Sequence, residues 1–279
     1  MRKLALSDEI LLSVDKAARY IGGEVNSVMK NLDGIDVRVA FCFPDVYEIG
    51  MSNLGMMILY NMFNQREDVW CERLFSPWPD LDKVMREEKI PLFALESQEP
   101  IRDFDFLGIT IGYEMCYTNI LQVLDLSGIP LKSADRGEDF PIVIGGGACA
   151  YNPEPLAPFF DLFYIGEGET VYDALFDAYK ANKKAGGSRR DFLLAAAKIP
   201  GIYVPSLYEV TYKEDGTIAS FAPTEAGVPE KVQKQLIIDM EKEYRAVEAP
   251  VVPHIKATQD RVTLEIQRGC ILSLIHISE

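Results

Sequence analysis

The chain has 279 residues, of which 48% are hydrophobic and 25% charged, and its formal net charge is −15. This balance is typical of a folded globular protein and excludes a largely disordered one. With 43 acidic against 28 basic residues and no basic stripe, the surface is expected to repel a phosphate backbone or an anionic bilayer. Nucleic acid is therefore not an expected partner.

The sequence also bears on compartment and metal content. No apolar run reaches the roughly 18–20 residues that span a bilayer, and Asp8 and Glu9 interrupt the apolar core that a signal peptide needs. Two imidazoles, His254 and His276, are few for a metalloenzyme. The cysteines are scattered without close pairs, as in reduced cytosolic proteins: Cys42, Cys71, Cys116, Cys149 and Cys270. We expect a cytoplasmic protein with mostly buried thiols.

Strand-like and helix-like patterns alternate from residue 36 to about 185. Strands are predicted at 37–43, 69–75, 90–97, 104–113, 141–147 and 161–169. Helices are predicted at 8–18, 53–67 with Ser52 as N-cap, 80–89, 117–128 with Gly128 as C-cap, and 170–184. This alternation is typical of parallel α/β units, so we predict a flavodoxin- or Rossmann-like doubly wound sheet.

The last third of the chain has a different pattern. After a polar connection at 183–190 and a short helix at 191–200, two strands are predicted around the turn Asp215–Gly216. Residues 246–260 are proline-rich and predicted to form an extended linker. A final strand is predicted at 262–267, where Val262, Leu264 and Ile266 alternate with polar residues. It leads into Arg268, Gly269 and Cys270, and a strand ending in this way usually presents its cysteine in a functional loop.

Candidate ligand-binding residues lie in the loops after the predicted strands, because doubly wound sheets bind ligands at the carboxyl ends of their strands. Three consecutive glycines at 145–147 would let a ligand approach the backbone, although turn formation explains them equally well. Glu167 and Glu169 begin a helix, where favourable interaction with the helix dipole is a sufficient alternative. The predicted pocket comprises Asp45, Glu48, Ser52, Gly112, Tyr113, Gly145, Gly146, Gly147, Gly166 and Glu167.

Several stretches between residues 18 and 270 together resemble the cobalamin-binding radical SAM proteins, in particular an uncharacterised bacterial branch. The most distinctive are "FPDVYEIGMSNLG" (43–55), "YEMCYTNILQVLDLSGIPL" (113–131), "GGGACAYNPEPLAPFFDLFYIGEGE" (145–169) and "DRVTLEIQRGC" (260–270). The resemblance implies a cobalamin-binding-like α/β domain followed by a radical SAM barrel. It also implies that Cys270 is the first cysteine of a C-x-x-x-C-x-x-C motif, whose three thiolates hold a [4Fe–4S] cluster that cleaves S-adenosylmethionine.

The sequence departs from this family in two places. Leu274 and Ile277 occupy the positions of the second and third motif cysteines, and the residues from 271 onward do not resemble the family. The histidine of the cobalamin motif D-x-H-x-x-G is missing, because no histidine precedes His254. We therefore expect a truncated, inactive fragment that binds cobalamin, if at all, without histidine ligation. The substrate cannot be read, because the absent barrel would form most of its pocket.

These expectations divide the chain into four parts. They are an N-terminal helical arm (1–35), a cobalamin-binding-like α/β domain (36–185), a connecting segment with a β-hairpin and linker (186–258), and the start of a truncated radical SAM domain (259–279). Residues from about 245 onward are expected to be poorly ordered or packed opportunistically on the first domain, so that deletion of 246–279 leaves the melting temperature nearly unchanged and improves solubility. The alternative is a stand-alone module that binds a corrinoid, a nucleotide-like ligand or a partner.

Overall fold

A computed structural model describes residues 4–243, 247–266 and 268. The strands of this part are β1 (Val37–Phe43), β2 (Val69–Phe75), β3 (Phe106–Thr110), β4 (Ile142–Gly146), β5 (Leu162–Tyr164), β6 (Ile202–Tyr203), β7 (Tyr208–Tyr212) and β8 (Ile218–Pro223). The α-helices are α1 (Asp8–Ser13), α2 (Tyr47–Gly50), α3 (Leu54–Gln65), α4 (Pro79–Glu88), α5 (Tyr117–Leu126), α6 (Tyr172–Ala185), α7 (Arg189–Ala196) and α8 (Met240–Glu243). Within these ranges, every helix is too short or too polar to cross a bilayer.

Six of these strands form one sheet in the order β2-β1-β3-β4-β5-β6. Pairing is parallel from β2 through β5, and β6 joins β5 antiparallel. α-Helices lie between β1 and β2, between β2 and β3, and between β3 and β4, as is usual for crossover connections, whereas short 3-10 turns connect β4 to β5. The predicted α/β fold with a mostly parallel sheet is therefore confirmed, and the sheet continues beyond residue 185 through β6.

Both faces of the sheet are covered, which explains why its strands are continuous apolar runs. On one face, Phe41 and Phe106 pack in a core with residues of α3, α6 and α7, including Phe176. On the other, Cys42 and Leu107 belong to a second core with residues of α4 and α5. Alternate residues of a strand point to opposite faces, so each central strand contributes to both cores.

The predicted strand at 90–97 is wrong. This segment forms a turn that covers the outer edge of β2: the Leu95 N–H donates to the Arg73 carbonyl (2.9 Å), and the Leu92 N–H donates to the Leu126 carbonyl (2.9 Å). It then reverses direction, and Gln98 adopts a φ of 65°. A covered edge protects a sheet from pairing with another chain. The apolar residues of this segment correctly indicate that it is buried. Burial does not distinguish a strand from a loop that covers a sheet edge.

Other predicted boundaries also differ from the structure. Helix α1 ends at Ser13, and Asn53 rather than Ser52 is the N-cap of α3. Residues 262–266 form no strand and are exposed except for Glu265, which is half-buried, and Gln267 lies outside the described residues. The predicted hairpin is present as β7 and β8.

The linker packs on the main sheet domain in its described part. Val251 and Ala257 are 6% and 5% exposed. The Val252 N–H donates to the Val25 carbonyl (3.0 Å), and the Thr258 N–H to the Glu48 carbonyl (3.1 Å). The proline-rich composition thus correctly predicted that the linker lacks regular secondary structure. The structure adds that its described part packs against the domain.

Candidate functional site at the carboxyl ends of the strands

A cleft of about 280 Å³ lies at the carboxyl ends of the parallel strands. Phe41 of β1, Thr110 of β3, Gly146 of β4 and Tyr164 of β5 contribute to its wall. The strand order reverses between β1 and β3, so the cleft lies where doubly wound sheets bind ligands. The volume is near the lower end of those of small-molecule sites.

Glycines bring backbone to the surface of the cleft. Gly147 has a φ of 103°, and a Cβ there would lie 2.9 Å from the Ile111 carbonyl oxygen. Gly166 has a φ of 140°, and a Cβ there would lie 2.3 Å from the Gln235 carbonyl oxygen. Both positions require glycine for conformation and for space. Their place in the cleft wall leaves peptide groups accessible to a ligand.

Helix α3 begins at the cleft. The Asn53 side chain accepts a hydrogen bond from the Met56 N–H (2.8 Å), and Asn53, Leu54 and Gly55 line the cleft. The partial positive charge of a helix N-terminus favours anionic groups. The cleft therefore combines a helix N-terminus with the carboxylates of Glu167 and Glu169.

Arg268 lies in the cleft between three glutamates. Its Nε donates to Glu265 Oε1 (2.7 Å), its Nη2 donates to Glu265 Oε2 (2.8 Å) and to Glu169 Oε1, and its Nη1 lies 3.9 Å from Glu167 Oε2. The hydrogen bonds to Glu265 and Glu169 raise the pKa of Arg268 above its usual value. The permanently charged guanidinium of Arg268 thus neutralises part of the negative charge of these glutamates.

The loop that carries Glu167 and Glu169 is held from several sides. The Tyr164 hydroxyl donates to the Glu167 carbonyl (2.5 Å), and burial, aided by the two neighbouring glutamates, raises the pKa of Tyr164 to about 12. The Glu167 N–H donates to the Gln235 carbonyl (3.1 Å), and the Ile237 N–H donates to the Glu167 carboxylate. The loop therefore presents its carboxylates in a fixed position.

The structure brings together only part of the pocket predicted from the sequence. Gly146, Gly147, Gly166 and Glu167 line the cleft. Tyr113 donates its hydroxyl hydrogen bond to Asp45, which links the loops after β3 and β1. Burial, reinforced by Asp45, raises the pKa of Tyr113 to about 12.

Asp45 and Tyr113 are not among the residues that line the cleft, and neither are the four remaining predicted residues. Glu48 binds Lys16 and Arg19 of the N-terminal arm (both 2.9 Å). Ser52 accepts from the Gln259 N–H (2.9 Å), so it contacts the linker. Two glycines, Gly112 and Gly145, differ in surroundings: a Cβ at Gly112 would meet nothing within 4 Å, whereas one at Gly145 would lie 2.6 Å from Phe163. Whether these residues contact a ligand stays a prediction.

Sequence reasoning missed Asn53, Thr110 and Arg268 as residues of the cleft. The signal for Asn53 was available, since asparagine is a preferred N-cap. Arg268 stood out in the sequence only as the neighbour of Gly269 and Cys270.

The described residues do not fit an iron–sulfur cluster. Cys42, Cys71 and Cys116 are buried, and the structure describes no grouping of three or more His, Cys, Asp or Glu side chains suited to a metal ion. Burial raises the pKa of Cys42 and keeps it a thiol. Cys270, the predicted cluster ligand, lies outside the described residues. His254 does not line the cleft, and its Nε2 lies 3.1 Å from the Gly22 carbonyl.

Part of the chain is similar to known proteins. A family model described as "Radical SAM proteins, N-terminal" matches residues 55–205, more than half of the chain. An uncharacterized protein of Methanocaldococcus jannaschii, MJ0966, is 26% identical over 133 residues, which cover 47% of this chain and 24% of that protein. The chain thus spans about a quarter of the length of this curated relative.

One solved structure resembles the chain weakly. It is the radical S-adenosylmethionine methyltransferase TsrM from Kitasatospora setae, with tryptophan substrate and a SAM analogue bound. The TM-score is 0.36 at 15% identity, over 65% of this chain and 29% of that protein. This similarity is too low to assign a shared ligand.

Proposed function

The chain belongs to the family of N-terminal regions of radical SAM proteins, and on this premise we propose that it is the cobalamin-binding-like part of a radical SAM enzyme. In the parent enzyme, a [4Fe–4S] cluster would cleave S-adenosylmethionine reductively, and Cys270 would supply the first thiolate. The fragment itself is proposed to be inactive, because the two other cysteine positions of the motif hold Leu274 and Ile277.

The glycine-lined cleft at the carboxyl ends of the strands is the observation that carries this proposal. The strand order β2-β1-β3-β4-β5 supports the flavodoxin-like classification, in which ligands bind where the order reverses. Peptide groups near Gly146, Gly147 and Gly166 would bind and orient the ligand. Among the described residues, those that line the cleft include no histidine, so they would hold a corrinoid without a cobalt–imidazole bond.

A corrinoid is larger than the cleft volume of about 280 Å³. Only part of it would enter, and the rest would lie over the loops at 44–52, 112–119, 145–152 and 166–169. A bound cobalamin supplies a redox-active cobalt centre. The role of this chain would be to bind that cofactor and to shield one of its faces from water.

Titration with hydroxocobalamin, followed by visible absorbance, tests the proposal. Gly146→Trp should abolish binding, because Gly146 forms part of the cleft wall. Gly137→Trp is the matched control, since Gly137 is exposed and has no neighbour within 4 Å of a Cβ. Equal binding by both variants, or a spectrum of nitrogen ligation that His254→Ala removes, would contradict the proposed site.

A nucleotide-like ligand is the second candidate, and the size of the cleft favours it. The N-terminus of α3 would favour an anionic group, and the carboxylates of Glu167 and Glu169 would accept hydrogen bonds from donors of the same ligand. Equilibrium dialysis with AMP and hydroxocobalamin separates the two. If the wild type retained AMP but not hydroxocobalamin, and Gly146→Trp did not retain AMP, the nucleotide-binding module would be supported.

The cysteine pattern leads to a prediction about iron. After anaerobic reconstitution, the 279-residue chain should hold no stoichiometric [4Fe–4S] cluster, because a single motif cysteine cannot replace three. Iron and sulfide assays measure this directly. A brown protein with about four irons per chain, lost in Cys270→Ser, would show that other residues complete the cluster site.

A further inference from the structure

The guanidinium of Arg268 joins two parts of the chain that are far apart in sequence. On one side, it is bound by Glu265 of its own segment; on the other, by Glu169 of the loop after β5. The Arg268 side chain is 20% exposed and that of Glu169 is 6% exposed. Ion pairs on open surfaces contribute little because water screens them, but this pair is largely shielded.

The loop that carries Glu169 has anchors other than Arg268. The same loop is anchored by Tyr164 and by the backbone of Gln235. Glu169 also lines the cleft, as do Arg268 and Glu265. Loss of Arg268 would therefore leave a nearly buried carboxylate at the mouth of the cleft without its guanidinium partner, which is unfavourable.

The chain between the linker and Arg268 has few other attachments. Gln259 is fixed to Ser52, whereas Val262, Leu264 and Ile266 are 87%, 77% and 86% exposed. Among the described residues after 260, Arg268 is thus the one that forms an ion pair with the sheet domain. Cys270 follows two positions later in the sequence.

We propose that Arg268 is a positioning residue that couples the cleft to the segment leading to Cys270. By pairing with Glu169, it holds this segment at the mouth of the cleft. A ligand that engages Glu169 competes with Arg268 and releases the segment. The inference rests on the proposed function in assigning Cys270 a cofactor role, but the contact between Arg268 and Glu169 can be tested without any cofactor.

Alkylation of Cys270 by a maleimide, in a Cys149→Ser background, tests the coupling. Arg268→Ala and Glu169→Gln should each raise the alkylation rate about five- to tenfold, since the lost pair is partly shielded. The double variant should be no faster than either single one, because both remove one interaction. Arg268→Lys should restore part of the protection, as it keeps the charge without the bidentate fork.

Arg261→Ala is the matched control. Arg261 belongs to the same segment, and its side chain donates to Gln259 (3.1 Å), within that segment. Its removal should leave the alkylation rate unchanged. Hydrogen exchange of peptides covering 262–268 provides a second readout in the same variants, and circular dichroism identifies any that fail to fold. Glu169→Gln tests the proposal even if Arg268→Ala unfolds.

The outcomes separate this inference from the proposed function. Faster alkylation in both single variants, without further gain in the double variant, supports the coupling even if hydroxocobalamin does not bind. Unchanged rates, or effects that add in the double variant, would overturn it even if hydroxocobalamin does bind. Where hydroxocobalamin binds, it should also speed alkylation in the wild type and not in Glu169→Gln.

Discussion

Arg73 carries its charge in the interior of β2. Its side chain is completely buried and lies between two buried carboxylates, with Nη2 2.7 Å from Glu24 and Nε 2.6 Å from Glu96. Burial alone would lower the pKa of Arg73, but the two glutamates raise it. The sequence of the predicted strand at 69–75 does not indicate these partners of Arg73, because Glu24 and Glu96 are distant in the chain.

Arg73→Met should destabilise the protein by about 3–5 kcal/mol, because it leaves two carboxylates buried without a cation. Urea unfolding measures the change. Arg86→Met is the control: Arg86 is 47% exposed, so the loss of its pairs should change stability by no more than about 1 kcal/mol. The triple variant with Glu24→Gln and Glu96→Gln should recover part of the loss, and equal effects of Arg73→Met and Arg86→Met would contradict the argument.

Glu48 should make stability depend on pH in the acid range. Burial opposes its ionisation, but hydrogen bonds from Arg19 and Lys16 lower the pKa of Glu48 from 4.5 to about 2. A carboxyl whose pKa falls on folding stabilises the protein above its unfolded pKa, and this contribution disappears as the pH falls towards the folded pKa. The contribution of Glu48 is therefore full above pH 4.5 and is lost between 4.5 and about 2.

The corresponding variant is Glu48→Gln, which should be about 1–2 kcal/mol less stable than the wild type at neutral pH. The difference should shrink as the pH falls through the acid window, as measured by denaturant unfolding at several pH values. Glu87→Gln, which removes only an exposed 3.9 Å pair with Lys83, should show a small effect at every pH. A pH-independent difference for Glu48→Gln would indicate a packing effect.

At the scale of elements, the start of α3 links a capping residue to the cleft. Asn53→Ala should lower stability by about 1 kcal/mol, because the Met56 N–H loses its acceptor. Ser52→Ala should cost less, since its hydroxyl contacts Glu48 and the Gln259 N–H outside the helix. Thermal unfolding gives the two values, and exchange at Gln259 should increase only in Ser52→Ala. If Ser52→Ala lowered stability more than Asn53→Ala, Ser52 would be the N-cap, as predicted from the sequence.

For the whole molecule, the attachment of the linker predicts the result of truncation. Deleting 247–279 removes the buried side chains of Val251 and Ala257 and should cost about 2–3 kcal/mol, or roughly 5–10 °C in melting temperature. Deleting only 262–279 should cost less, because Val262, Leu264 and Ile266 are exposed and the main loss among the described residues is the pairing of Arg268 with Glu169. Differential scanning calorimetry of both proteins provides the comparison. If the protein without 247–279 melted at the same temperature as the wild type, the expectation drawn from the composition would hold instead.

The sequence by itself determined the central strands and most of the helices, because apolar periodicity acts locally: β1 and β2 have their predicted limits. It also placed Gly146, Gly147, Gly166 and Glu167 at one edge of the sheet, since parallel strands end together. Only the tertiary structure decided that 90–97 covers an edge instead of forming a strand, and that Arg73 meets Glu24 and Glu96. The physical reason is range. Periodicity indicates which residues of a segment are buried. Ion pairs and edge contacts depend instead on which distant segment of the chain packs against it.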